Sequence, residues 1–219
     1  MNLLVFGASG GVGNRLVQQA HSAGHSLRAV YRSTKHTPPH PDVPQVTLSD
    51  FSDVASLSRL ISGMDAVVSC LGPKRENPQN PWSKPTTPLD FMERFSAALI
   101  QAMTADGMPK RLIVISAAGV GSSEPVMHPL LRFVFQHSNV GLSYKDLAAM
   151  EANIQRSELD WCIVRPVTLT TGPLTGLERP CDRYKLTSSI SRADVAHFML
   201  SWIGPPNGTP RQAPMICSK

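Results

Sequence analysis

No apolar run in this chain approaches the ~18–20 residues that a bilayer-spanning helix requires. The amino-terminal stretch has no basic region and its apolar run breaks at Gly7, so Met1–Phe6 reads as a first strand instead of a secretory signal. Cysteine is scarce. The four present, Cys70, Cys162, Cys181 and Cys217, show no paired spacing, and two of them sit inside apolar runs. A reduced, cytoplasmic protein is expected. Aromatic residues make up only 6% of the chain, and its positive residues form no block. The net charge of +5 therefore lacks the stacking pattern of a nucleic-acid binder, and an anionic small ligand accounts for the excess equally well. The histidines show no ligand spacing either: Gly24 separates His21 from His25, while His36 and His40 flank prolines. No metal site is expected.

Proline, by contrast, is abundant at 19 residues, clustered at Pro38–Pro44 and Pro73–Pro88. These clusters read as two stiff loops within one 219-residue domain, and no internal repeat is present. Strand candidates are Asn2–Phe6, Ser26–Tyr31, Gln45–Leu48, Ala66–Cys70, Arg111–Ile115, Trp161–Arg165 and Ala213–Cys217. Helical stripes fall between them. Val12, Leu16, Val17 and Ala20 share one face before Gly24, and Val54, Leu57, Leu60 and Ile61 another before Gly63. Further helices are expected over Leu89–Asp106, Pro129–Gln136, Ser143–Arg156 and Ser191–Ser201. Alternating strands and helices predict a single α/β domain: a doubly wound, Rossmann-like, mainly parallel sheet with helices on both faces. In such sheets ligands lie beyond the carboxyl ends of the strands.

The first strand runs straight into Gly7-Ala-Ser-Gly10-Gly-Val-Gly13, which opens the first helix. That context gives a glycine-rich turn its physics. Gly7 makes the tight turn, Gly10 and Gly11 let the backbone approach a pyrophosphate, and Gly13 lets helix and strand pack closely. The helix amino end offers free N–H groups and partial positive charge to the anion. Ser9 adds a hydroxyl, and Val12 belongs to the same binding turn. The GxxGxxG spacing resembles the atypical short-chain dehydrogenase/reductase branch more than lactate-type dehydrogenases.

An NAD site places an acid at the end of the second strand, on the adenine ribose. Here that position reads Tyr31-Arg32-Ser33, without an acid. Arg32 instead offers a planar donor fork suited to a 2′-phosphate, with Ser33 and Lys35 to assist. A charge-assisted contact worth roughly 1.5–3 kcal/mol would favour NADP(H) over NAD(H) by about 10- to 150-fold. NADP(H) is the expected cofactor.

Longer motifs extend the match along the chain. They are FGASGGVG at Phe6–Gly13, VYRS at Val30–Ser33, SDFSD at Ser49–Asp53, VVSCLGP at Val67–Pro73, VISAAGVG at Val114–Gly121, AAMEANIQRSELDWCIVRP at Ala148–Pro166 and SISRADVAHFML at Ser189–Leu200. On these residues the sequence resembles the NAD(P)H-binding, NmrA-like group of atypical short-chain dehydrogenases/reductases, especially small members related to flavin reductase and biliverdin IXβ reductase. The resemblance implies that Asp50 and Phe51 lie near the adenine. It implies that Cys70, Leu71 and Gly72 flank the ribose and pyrophosphate, and that Ser116 approaches the nicotinamide ribose or carboxamide. Pro166 and Val167 would lie at the nicotinamide end. A substrate pocket would form from segments 72–90, 119–143 and 167–190. Ser191 reads as a helix cap, with Asp194 placed three residues on, where its side chain can reach back.

The catalytic pair of the superfamily, Tyr-x-x-x-Lys, is incomplete. Tyr144 is followed four residues later by Ala148. Without the lysine its pKa stays near ~10, so Tyr144 is expected to pack or donate one hydrogen bond rather than cycle protons. Val167 also stands where some biliverdin-type reductases carry a histidine, which puts bilin reduction in doubt. Ser116 and Tyr144 remain the candidate catalytic residues. Lack of a strong acid suits a flat conjugated acceptor such as a quinone or flavin, whose reduced anion water can protonate. The first expectation is an NADPH-dependent reductase, monomeric or homodimeric. Two alternatives stay open: a non-catalytic NADP(H)-binding redox sensor, and a biosynthetic isomerase, dehydratase or cyclase on the same fold.

Overall fold

The computed structural model describes residues 1–32, 42–105, 107–204 and 211–219. In chain order the elements are β1 (Asn2–Phe6), α1 (Gly11–Ser22), β2 (Ser26–Tyr31), β3 (Gln45–Thr47), α2 (Val54–Ile61), β4 (Ala66–Ser69), α3 (Phe91–Met103) and β5 (Arg111–Ile115). A 3₁₀ turn (Gly121–Val126) leads to α4 (Pro129–Gln136), α5 (Asn139–Arg156), β6 (Asp160–Pro166), β7 (Thr168–Thr170), β8 (Arg179–Pro180), β9 (Ser189–Ser191), α6 (Arg192–Ser201) and β10 (Met215–Cys217).

Eight strands form one sheet in the order β3-β2-β1-β4-β5-β6-β10-β8, and only β8, at the edge, runs antiparallel to its neighbour. This is the doubly wound arrangement, and the chain reverses its direction of travel between β1 and β4. The central strands are apolar throughout because both faces are covered. Along β1, Leu3 and Val5 join the core beneath α1 and α6, while Leu4 and Phe6 join the core beneath α2, α3 and α5. The pleat sends successive side chains to opposite faces, so a single five-residue strand anchors both layers. The carboxyl ends of β1, β2, β4, β5 and β6 fall on one edge and bring Gly7, Arg32, Cys70, Ser116 and Val167 to the same rim.

Two helix starts differ from the sequence expectation. α3 begins at Phe91 instead of Leu89, because the buried Asp146 carboxylate of α5 accepts the Met92 and Glu93 backbone N–H groups at 3.0 and 2.9 Å. A residue 53 positions away thus caps this helix, whereas its own Asp90 makes no cap bond. α5 begins at Asn139 instead of Ser143, since Ser138 Oγ accepts from Val140 N–H at 3.3 Å. The proline-rich segment after β4 is a closed hairpin-like loop. Arg75 pairs with Pro85, and Asn139 Nδ2 donates to the carbonyls of Trp82 and Ser83, holding the loop on the start of α5. β7 and β9 form a separate parallel ribbon.

Candidate functional site

The glycine turn has the shape its sequence calls for. Gly7 adopts φ +77°, and its carbonyl accepts from Gly10 N–H at 2.9 Å. A Cβ at Gly13 would lie 2.2 Å from that same carbonyl oxygen, so only glycine lets α1 start this close to β1. Gly10 caps α1 without any side-chain bond, and no acidic residue stands in the first turn. The positive end of α1 is thus left without a negative partner from the protein. Ser9, Gly10 and Gly11 line a recess of about 430 Å³ together with Gly172 and Arg192. These are the features a dinucleotide pyrophosphate requires, and the residues fit it.

From the cradle a second recess of about 370 Å³ runs along the strand ends. Gly11 and Val12 stand on one side, Cys70, Leu71 and Gly72 beside them, and Ser116 and Tyr144 line it too. The structure therefore brings together most of the residues singled out in the sequence. Ser116 is 8% exposed and its Oγ has no hydrogen-bond partner, a cost unless a ligand atom satisfies it. Burial pushes the Cys70 thiol up to about 12, so it is a neutral wall group at physiological pH. Burial also lifts the Tyr144 hydroxyl far above the usual phenol range, with Tyr184 adding to the push and the Arg75 guanidinium opposing it. Tyr144 donates to Ala118 O at 3.0 Å, as a hydrogen-bond donor locked to the backbone. Pro166 and Val167 are buried at the end of β6, and their backbone is held by Ala118 and Ile216.

A third recess, of about 260 Å³, is where Arg32, Asp50, Phe51, Phe91 and Arg94 meet. The Arg32 guanidinium lies over the Phe91 ring, 5.3 Å from its centroid, and reaches the rim from the end of β2. Phe51 is 5% exposed and packs edge-on with Phe91 and Phe95, so it forms a floor rather than a free face. Asp50 Oδ1 accepts from both the hydroxyl and the N–H of Ser52, at 2.6 and 2.8 Å, which holds the acid below its ordinary range and engages it locally. Ser33 and Lys35 lie outside the described residues.

Two polar groups, Arg75 and Arg192, are not singled out by the sequence. Arg75, hidden in the proline-rich loop, lines the recess of Ser116 and Tyr144; its Nη2 donates to Pro78 O at 2.8 Å and its buried Nη1 has no partner. Arg192 stands in sequence only as part of a helix start, yet its side chain lies against Gly11 and lines both the cradle and the long recess. Ser191 caps α6, accepting from Asp194 N–H at 2.9 Å. The Asp194 carboxylate, which the Ser191 side chain helps to stabilise, also accepts from Thr175 N–H, Thr175 Oγ1, Gly176 N–H and Ser218 Oγ. Burial opposes its charge, but these donors outweigh burial and hold the acid below its ordinary range. A fourth recess, of about 340 Å³, lies on the other side of Tyr144 between Gly119, Met127, Phe135 and Leu142.

Among the described residues no group of three or more His, Cys, Asp or Glu side chains is placed to hold a metal ion. None of their helices is long and apolar enough to cross a membrane.

Known proteins resemble this molecule along its whole length. UPF0659 protein YMR090W of Saccharomyces cerevisiae is 27% identical over 221 residues, covering 95% of this chain and 89% of the yeast protein. The structure of the anaerobillin reductase ChuY from Escherichia coli O157:H7 superposes with a TM-score of 0.75 at 21% identity, covering 99% of this chain and 96% of that one. A Streptococcus pneumoniae protein, described as a candidate NADH-flavin reductase, superposes with a TM-score of 0.72 at 19% identity over 100% of both chains. The profile of the family described as NAD(P)H-binding matches residues 7–206, from the first glycine of the cradle to beyond α6. A turn that only glycine can make, an uncapped helix end and this match agree: the chain belongs to the NAD(P)H-binding family.

Proposed function

We propose that this protein is an NADPH-dependent reductase that delivers hydride to a flat conjugated acceptor such as a quinone or a flavin. The observation that carries the reading is the long recess itself. It joins the glycine cradle to an unpartnered Ser116 hydroxyl and an unpartnered Arg75 nitrogen, and no lining group that titrates as an acid near neutral pH accompanies them. A bound reduced nicotinamide supplies the hydride. Gly7, Ser9, Gly10, Gly11, Val12 and Gly13 hold the pyrophosphate. Arg32 takes the 2′-phosphate, with Asp50 and Phe51 beside the adenine. Cys70, Leu71, Gly72, Pro166 and Val167 wall the path to the reacting end.

At that end Ser116 donates to the carboxamide or to the acceptor and fixes its orientation. Tyr144 shapes the backbone at Ala118 and hands on no proton. Arg75 holds the negative charge that hydride addition leaves on the acceptor oxygen until water protonates it. A ketone would need its proton during the transfer, and this recess offers no group to give one. The acceptor enters between the 72–90, 119–143 and 167–190 segments. Relatives named for reductase activity are consistent with this reading.

The test mixes purified protein with NADPH or NADH and a panel of quinones and flavins, following the reduced-nicotinamide absorbance. Turnover with at least one acceptor, faster with NADPH, is expected. Tight NADPH binding with no turnover on any acceptor would remove the reductase reading. A second reading, an NADP(H)-responsive partner protein, draws on α4, which has no buried residue and shows Leu130 and Phe133 to solvent at 55% and 60% exposure. Retention of a partner with NADPH but not with NADP⁺ would favour it.

A further inference from the structure

Arg192 is the first residue of α6, at a helix end whose acid, Asp194, is already engaged by other donors. Its side chain also reaches across to the start of α1. A Cβ at Gly11 would lie 2.6 Å from Arg192 Cδ and 2.9 Å from Nε, so the guanidinium rests on the first residue of that helix. A guanidinium therefore shares the place of the uncapped start of α1, while the α6 first turn holds its own acid, Asp194. Among the described residues no carboxylate pairs with Arg192, and its only recorded bond is from Nη1 to Thr170 O at 3.0 Å. Gly10 supplies no side-chain cap to α1, and the α1 first turn holds no acid. The Asp194 carboxylate in the α6 first turn is engaged by Thr175, Gly176 and Ser218, so the positive groups at the start of α1 suit an anion from outside the protein.

We infer that Arg192 is a second jaw of the pyrophosphate site. Its guanidinium closes over the phosphates from the α6 side while the amides at the start of α1 hold them from below. The inference rests on the family's nucleotide site and adds a residue from a distant part of the chain. The Thr170 carbonyl fixes one nitrogen of the fork, Nε lies beside Gly11, and the side chain lines the recess of Ser9, Gly10 and Gly11. Since the anchor is in β7, the clamp also couples the cradle to the ribbon that leads into the 167–190 segment.

The pyrophosphate is common to both nicotinamide nucleotides, and this sets Arg192 apart from Arg32. By titration calorimetry, Arg192→Gln should weaken NADPH and NADH by the same factor, about 10- to 100-fold. Arg32→Gln should weaken NADPH alone. Arg192→Lys, which keeps the charge and loses the fork, should fall between the parent and Arg192→Gln for both nucleotides. Without nucleotide, the melting temperature of Arg192→Gln should stay close to that of the parent, because Arg192 makes only one hydrogen bond, to Thr170 O, among the described residues. Unchanged affinity for both nucleotides in Arg192→Gln would overturn the inference. So would a loss confined to NADPH, which would move Arg192 to the 2′-phosphate. If the unaltered protein bound neither nucleotide, the family site itself would fail first, a result distinct from either of these.

Discussion

A methyl group added at Gly13 would meet the Gly7 carbonyl, an atom fixed by its own bond to Gly10, and neither side can yield. The same methyl at Gly11 would meet only the flexible stem of Arg192. Gly13→Ala should therefore cost about 1–3 kcal/mol of stability, and Gly11→Ala less than about 0.5 kcal/mol, by urea unfolding. The two variants share a turn and separate packing from binding.

At the adenine end, Arg32→Gln should lower NADPH affinity by about 10- to 150-fold and leave NADH unchanged in calorimetry. Asp194 gives the residue scale its pH signature. Its acid is held below the ordinary carboxylate range, so the stability it confers is present above that range and is lost as pH falls through its folded value. Asp194→Ala should destabilise by about 2 kcal/mol at pH 7, and the gap to the parent should close below about pH 4, followed by thermal melts across pH.

Among the elements, the interdependence of α3 and α5 is the most exposed to test. Asp146→Ala removes the two-point cap on α3 and should cost about 0.5–2 kcal/mol, read by denaturant titration. This contact also shows where sequence reading stops. The strands β1, β2, β4, β5 and β6 and the bodies of α1, α2 and α4 are legible because apolar periodicity is local. The start of α3 is not, since its capping group comes from another helix. β7, β8 and β9 are two or three residues long, too short to show any period. Gly141 in the first turn masks the start of α5, and only Ser138 betrays it. The site divides the same way. Gly7 to Gly13 and Arg32 are legible because they adjoin a strand end, whereas Arg75 and Arg192 reach the recess through the tertiary fold. Arg192 did leave one local trace, a cation at the first position of a helix.

At the scale of the whole molecule, the proposed nucleotide site would draw on distant parts of the chain, from Gly7 to Arg192, so ligand and fold should be linked. NADPH at 100 times its dissociation constant should add about 2.7 kcal/mol to the apparent stability, visible as a rise in melting temperature. No rise at saturating nucleotide would contradict a shared site. The position of Cys70 has a consequence of its own. Quinones are Michael acceptors that alkylate thiolates, and this side chain lines the recess where such a compound would be reduced. Burial disfavours the reactive sulfur anion and keeps this group a thiol. On the proposed reading, an electrophile would sit beside a cysteine held in its less reactive form, and suicide inactivation would be slow.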